Sequence, residues 1–206
     1  MPFDYACFIS YRHSRAPGVQ KAYESFRDAL DDQVGWYLPM PVYLDTGRLS
    51  GGDFFNRELA FALCRSVCMI SLYVPYYFDT NHTYCAREYQ AMVRLEKQRL
   101  RAMPKAAQGK GLIIPIVIRG TPPDEITKER QTETFERLAP DALRKAESRQ
   151  ALERIAKNIF DRHEAFRIYG MDPCNSCEDF SFPDDGEVMD WLTGITAPPQ
   201  KLPWRQ

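Results

Sequence analysis

Residues 5–11 read YACFISY, a run without a single charge and rich in strand-forming side chains. Such a run suits a strand covered on both faces, as in a parallel sheet. Working outward, Val19, Ala22, Tyr23, Phe26 and Leu30 follow at i, i+3, i+4, i+7 and i+11, one face of a helix. Residues 41–44 (PVYL) predict a short strand ending at Asp45. A turn-rich loop, 46–52 (TGRLSGG), leads to a helix that Asp53 can cap and that buries Phe55, Leu59, Ala62 and Leu63. Residues 66–74 (SVCMISLYV) predict a third strand. A helix then runs from Asn81 or Thr83 to near Arg101, with Cys85, Tyr89, Met92 and Val93 on one stripe. Residues 111–118 (GLIIPIVI) predict a fourth strand, in which Pro115 is awkward and implies a local irregularity. Residues 132–138 are a candidate fifth strand, and Leu152, Ile155, Ala156, Ile159 and Phe160 define a further helix.

This alternation predicts an α/β chain. Its expected fold is a flavodoxin-like sheet of five parallel strands, centred on the first, with helices on both faces. From about Tyr169 the character changes. Residues 171–190 hold seven acids and no Lys or Arg, and the chain ends in the Pro-rich APPQKLPWRQ. The expected organisation is one domain over 1–168. A loop-rich tail follows over 169–206, with a short helix near 187–192.

The whole chain has 206 residues, 44% hydrophobic and 27% charged, with a net charge of −1. These values exclude a disordered or fibrous chain. They also argue against a basic nucleic-acid binder or a polybasic membrane anchor. No run of 18 apolar residues occurs, and the N-terminus lacks a basic segment followed by an apolar one. Cysteines stand at 7, 64, 68, 85, 174 and 177, three of them inside apolar segments. They read as small hydrophobes rather than a disulfide framework, and a cytosolic setting is expected.

Ligands of open parallel sheets bind beyond the carboxyl ends of the strands. The first strand ends in Ser10-Tyr11-Arg12-His13, the second in Asp45 before the Gly-rich loop and Phe54. The third leads to Tyr84-Cys85-Ala86-Arg87-Glu88, in which Tyr84 and Glu88 share a helix side. Glu88 lies about 60° from Cys85 around the helix, at the margin of the apolar stripe. It reads either as a half-buried carboxylate or as a surface Glu paired with Arg87 or Arg12. Glu96, two turns on, is the expected control position, where substitution by Gln is neutral for turnover. Gly51-Gly52 lacks phosphate-loop spacing, Cys174-x-x-Cys177 lacks a second pair of zinc ligands, and His163 continues a helix face. Residues 94–110 hold six basic residues and one acid. They read as a solvated helix end and loop, or as a surface for an acidic partner such as the tail itself.

Three blocks together resemble a bacterial-type TIR domain: 4–13 (DYACFISYRH), 42–59 (VYLDTGRLSGGDFFNREL) and 71–88 (SLYVPYYFDTNHTYCARE). The resemblance covers residues 4 to about 100 well and extends weakly to about 166. It implies cleavage of the nicotinamide–ribose bond of NAD, which is substrate rather than cofactor, with no metal. Glu88 is implied as the catalytic glutamate and Tyr84 as the aromatic that packs on nicotinamide. Phe54 matches a pocket aromatic, and Asp45, Gly52, Ser10, Tyr11, Arg12 and His13 match pocket-lining positions. The sequence departs from the family at Tyr84, where Trp is common, and at His13, where a second Arg is common. The resemblance also implies TIR–TIR assembly through the 46–52 loop, and a separate effector protein responding to the product, as in Thoeris-type defence operons. The competing expectation is a non-enzymatic TIR adaptor. A phosphoryl-accepting receiver on the same fold is rejected, because its acidic positions hold Ser10-Tyr11-Arg12 and Val74-Pro75 here.

Overall fold

The computed structural model describes residues 3–14, 16–45, 53–105, 108–109, 111–128, 130–169, 174–175 and 177–196, with backbone alone at 53–55 and 196. The elements run β1 (Tyr5–Tyr11), α1 (Pro17–Val34), β2 (Val42–Leu44), α2 (Asp53–Cys64), β3 (Ser66–Tyr73) and α3 (Tyr84–Arg101). They continue with β4 (Ile113–Val117), α4 (Asp124–Thr127), β5 (Glu133–Thr134), α5 (Pro140–Leu143), α6 (Ala146–Ile168) and α7 (Asp185–Thr196). All strand pairs are parallel, in the order β2-β1-β3-β4-β5. This is the flavodoxin-like arrangement expected from the alternation.

One expectation is corrected: the sheet is centred on β3, not on the first strand. All eight residues of β3 are buried, against six of seven in β1. A strand flanked by neighbours and by helices on both faces needs such an uninterrupted apolar run. Pro115 sits inside β4 opposite Ser71, and the ladder continues through it. Pairing with β5 starts only at Ile116, so the proline has no ladder partner on that side. β5 is two residues rather than the expected seven, because Glu133 and Thr134 alone reach β4 before the chain turns away.

Helices α1, α5 and α6 pack on one face; α2, α3 and α7 pack on the other. α1 starts with Pro17 in its first turn, where a missing N–H costs nothing. It buries Tyr23, Phe26, Leu30 and Val34. Val19, expected on that face, lies in the first turn and is 39% exposed. α6 buries His163 beside the ring of Phe3, centroids 6.4 Å apart.

Burial holds the His163 imidazole below its ordinary value, outweighing the Glu164 carboxylate 3.5 Å away. The unfolded chain therefore binds the proton first as pH falls, and stability contributed by neutral His163 is lost below about pH 6.5. Denaturant midpoints measured from pH 7 to pH 5 are expected to fall, and His163→Leu is expected to flatten that slope. An unchanged slope in the variant would remove His163 from the acid limb.

The tail does not hang free of the body. Val188 and Leu192 of α7 are fully buried, and Trp191 stacks on Tyr89 of α3 at 5.7 Å. Arg87 pairs with Asp185 and Arg94 with Glu187. The acidic tail thus meets α3 in cis, Arg94 being the first residue of the basic run. The cysteine expectation is also corrected: Cys64, at the end of α2, is disulfide-bonded to Cys177 in the tail. Their sequence separation of 113 hides the pairing from any local reading of the sequence.

Candidate functional site

The carboxyl edge of β1 sets the site. Consecutive strand residues point to opposite faces. Ser10 is directed toward the α3 face, while Tyr11 packs on Tyr23 of α1. Ser10 Oγ donates to Glu88 Oε2 at 2.5 Å and accepts from the Tyr77 hydroxyl at 2.6 Å. All three residues are buried, Glu88 to 1% exposure.

This overturns both readings of Glu88 made from helix spacing. The carboxylate is fully rather than half buried, and neither Arg87 nor Arg12 pairs with it: Arg87 holds Asp185 and Arg12 holds Asp79 at 3.1 Å. A buried carboxylate costs several kcal/mol unless its oxygens are satisfied. A hydroxyl donating to a charged acceptor returns about 1.5–3 kcal/mol of that. The Tyr77–Ser10–Glu88 chain is therefore a requirement of the burial, not an accessory to it.

The buried face of α3 carries two further charged groups, Glu96 and Arg99. Glu96 accepts from the Leu112 N–H and holds Arg130 through both oxygens. It is a buried, paired group. Arg99 donates to the carbonyls of Ser66 and Cys64 and lies over the Phe3 ring at 5.3 Å. Burial brings its guanidinium down to about 10.

Tyr11, Arg12, His13 and Asp45 gather beside β1 and β2. The Tyr11 hydroxyl donates to the Asp45 carbonyl and accepts from Gln20 Nε2 at 3.1 Å. His13 stacks on Tyr11 at 4.4 Å and brings Nε2 to 3.9 Å from Asp45 Oδ2. Asp79 closes this side. The Asn81 backbone N–H, then Arg12 and His82, hold its carboxyl below the usual range. Tyr84 stands in the first turn of α3, 45% exposed, one turn before Glu88. Gly52, the Phe54 side chain and the rest of the 46–52 loop lie outside the described residues.

Two residues missed in the sequence belong here. Tyr77 is fully buried while its neighbour Tyr76 is 72% exposed. In the run Val74-Pro75-Tyr76-Tyr77-Phe78 nothing local distinguishes them. Ser71 pairs in register with Ser10, so its side chain leaves the same sheet face. Its buried hydroxyl has no hydrogen-bond partner among the described residues. Chemically, the arrangement offers one shielded, oriented carboxylate at the strand ends, an exposed aromatic one helical turn away, and a separate Arg–Asp–His group on the flank.

No protein-family model, curated protein or solved structure matches this chain.

Proposed function

We propose that this protein is a TIR-type enzyme that cleaves the nicotinamide–ribose bond of NAD. The observation that carries the reading is Glu88: a buried carboxylate fixed by Ser10 at the carboxyl edge of the sheet, one turn from an exposed Tyr84. Two of the three sequence blocks that resemble the family meet here, 4–13 through Ser10 and 71–88 through Tyr77 and Glu88.

The reaction suits a single carboxylate. The N–C bond breaks with its electron pair going to the pyridinium nitrogen, so nicotinamide leaves neutral and needs no proton. The positive charge passes to the ribose as an oxocarbenium-like centre. Ordinary glycoside hydrolysis, whose leaving oxygen must be protonated, uses two carboxylates instead. Glu88 supplies oriented negative charge where positive charge develops, and Tyr84 stacks on the nicotinamide ring to align the breaking bond. Arg12, His13 and Asp45 line the pocket toward the rest of the dinucleotide. Water adds to the ribose and loses a proton to give ADP-ribose, or an adenine nitrogen adds to give a cyclic product.

The working context we propose is cytoplasmic; no helix among the described residues is long and apolar enough to cross a membrane. The proposed partners are other TIR domains, including further copies of this chain, and a separate effector that reads the product. No nucleic acid or membrane partner is proposed.

Incubation with NAD and chromatography of the products tests the reading. Nicotinamide release with either ADP-ribose or a cyclic ADP-ribose, which differs from it by one water, supports it; intact NAD, at all protein concentrations tried, favours the adaptor. Tyr84→Ala is expected to lower kcat/KM about tenfold, the worth of one ring–ring stack, without unfolding the protein. Wild-type kcat/KM in this variant would remove Tyr84 from the substrate contacts.

A further inference from the structure

The Cys64–Cys177 bond ties the tail to the end of α2, and a third sulfur stands beside it. Cys174 Sγ lies 3.6 Å from the Cys64 carbonyl oxygen. The Cys177 N–H donates to the Cys174 carbonyl at 3.1 Å, so a single turn carries both tail cysteines. Three sulfurs of the chain therefore converge on one residue of α2.

What sets Cys64, Cys174 and Cys177 apart is their proximity to one another. Burial raises the Cys7 thiol well above its ordinary value and that of Cys68 to about 11, so both stay protonated in the core. Arg99 acts electrostatically on both Cys174 and Cys68, and its guanidinium lies 4.0 Å from Cys64 Sγ. A cation beside a sulfur favours its thiolate, both as nucleophile and as leaving group. Cys177 also lines a groove of about 520 Å³ with Tyr5, Tyr43, Arg57, Phe61 and Glu178. Cys177 is itself only 2% exposed and borders this groove, so a small thiol in the groove reaches the bond by displacing the groove wall at Cys177, while Cys64 faces Arg99.

We propose that Cys64, Cys174 and Cys177 form a thiol–disulfide exchange site that accepts a low-molecular-weight thiol through this groove and determines whether the tail is clamped to the body. The thiolate attacks Cys177 Sγ; the Cys64–Cys177 bond breaks and its electron pair leaves on Cys64 Sγ beside Arg99. Cys174, as thiolate, then attacks Cys177 Sγ in the mixed disulfide and expels the small thiol. One disulfide is lost and one gained, the thiol is regenerated, and no oxidant or reductant is consumed. The Cys174–Cys177 product lies wholly within the tail and no longer holds it to α2.

The clamp matters because of what lies beyond it. α7 rests on α3 through Val188, Leu192 and Trp191, and Trp191 meets Phe78 edge to face at 5.0 Å. Phe78 packs at 4.9 Å on Tyr77, whose hydroxyl holds Ser10. The ion pairs Arg87–Asp185 and Arg94–Glu187 have exposed acidic partners and contribute little by themselves. Disulfides in a reducing compartment are mostly of the exchanging kind, which fits a cysteine pair with a third thiol beside it. The inference does not rest on the proposed NAD chemistry.

The test uses the full chain, air-oxidised and then held under argon with sub-stoichiometric glutathione. Tryptic maps follow the link between peptides 58–65 and 168–201, and hydrogen exchange follows residues 185–196. The linked peptides are expected at the start. They should give way to a disulfide inside 168–201, with exchange over 185–196 faster by about tenfold or more while circular dichroism retains the sheet. In Cys174→Ser the linked peptides should persist at least about ten times longer, because the mixed disulfide can resolve only back through Cys64. Absence of the linked peptides from the oxidised protein overturns the proposal. So does wild-type loss of the link in Cys174→Ser, or equal exchange over 185–196 in both disulfide forms.

Discussion

Glu88→Gln is expected to lower the rate of NAD cleavage by about 10²-fold or more, equivalent to roughly 2.7 kcal/mol of transition-state stabilisation. The substitution keeps the side chain's shape and a carbonyl oxygen able to accept from Ser10, so the Tyr77–Ser10 chain survives. What it removes is charge. A neutral amide still orients, but it offers little to a ribose acquiring positive charge, and in a site shielded to 1% exposure that loss is not made good by solvent. The fall should appear in kcat and in kcat/KM alike, as for an interaction made only in the transition state. Glu153→Gln, on the exposed side of α6, is the matched control and should leave the rate unchanged. A folded Glu88→Gln protein that cleaves NAD at the wild-type rate would end the mechanism and advance the adaptor reading.

The frame that holds Glu88 was legible because apolar runs at strand length alternate with helical faces: residues 5–11 and 66–74 could hardly be anything but buried strands. Strand order was not legible in the same way. It depends on which runs find neighbours on both sides, and β1 and β3 look alike until their register is known. The position of Glu88 at the strand ends could be read, but its depth could not. A charged residue on a helix is solvated unless a donor from another element reaches it, and Ser10 arrives from a strand 78 residues away. Glu96 and Arg99 escaped for the same reason, their partners lying at Arg130 and Leu112 and at Ser66 and Cys64. The tail was legible as acidic, but its docking was not. Val188, Trp191 and Leu192 make a single short apolar face whose mate is presented by α3 and Phe78 together.

Glu96→Ala is expected to be the most damaging of the single substitutions for stability. Glu96 is 8% exposed; its Oε1 accepts from the Leu112 N–H at 2.5 Å and from Arg130 at 2.8 Å, and its Oε2 accepts from Arg130 at 2.6 Å. The carboxylate in turn holds the Arg130 guanidinium above its ordinary value. Gly111 makes room for the pair: a Cβ there would stand 2.5 Å from Glu96 Oε1 and 2.9 Å from Arg130. Truncation at 96 strands a partly desolvated cation and orphans the N–H just before β4. Removing one partner of a buried ion pair costs about 3–5 kcal/mol. The small exposure of this pair puts the expected loss near the lower end, about 3 kcal/mol. Removing both partners should hurt less than the two single losses combined, because Glu96→Ala with Arg130→Met leaves no unpaired charge. A double-mutant cycle should therefore return a coupling above about 1 kcal/mol. Denaturant midpoints at constant m-value are the measurement. A loss below about 1 kcal/mol in Glu96→Ala, or additivity within error in the cycle, would show that solvent reaches Arg130 and that α3 is held to β4 by its apolar face alone.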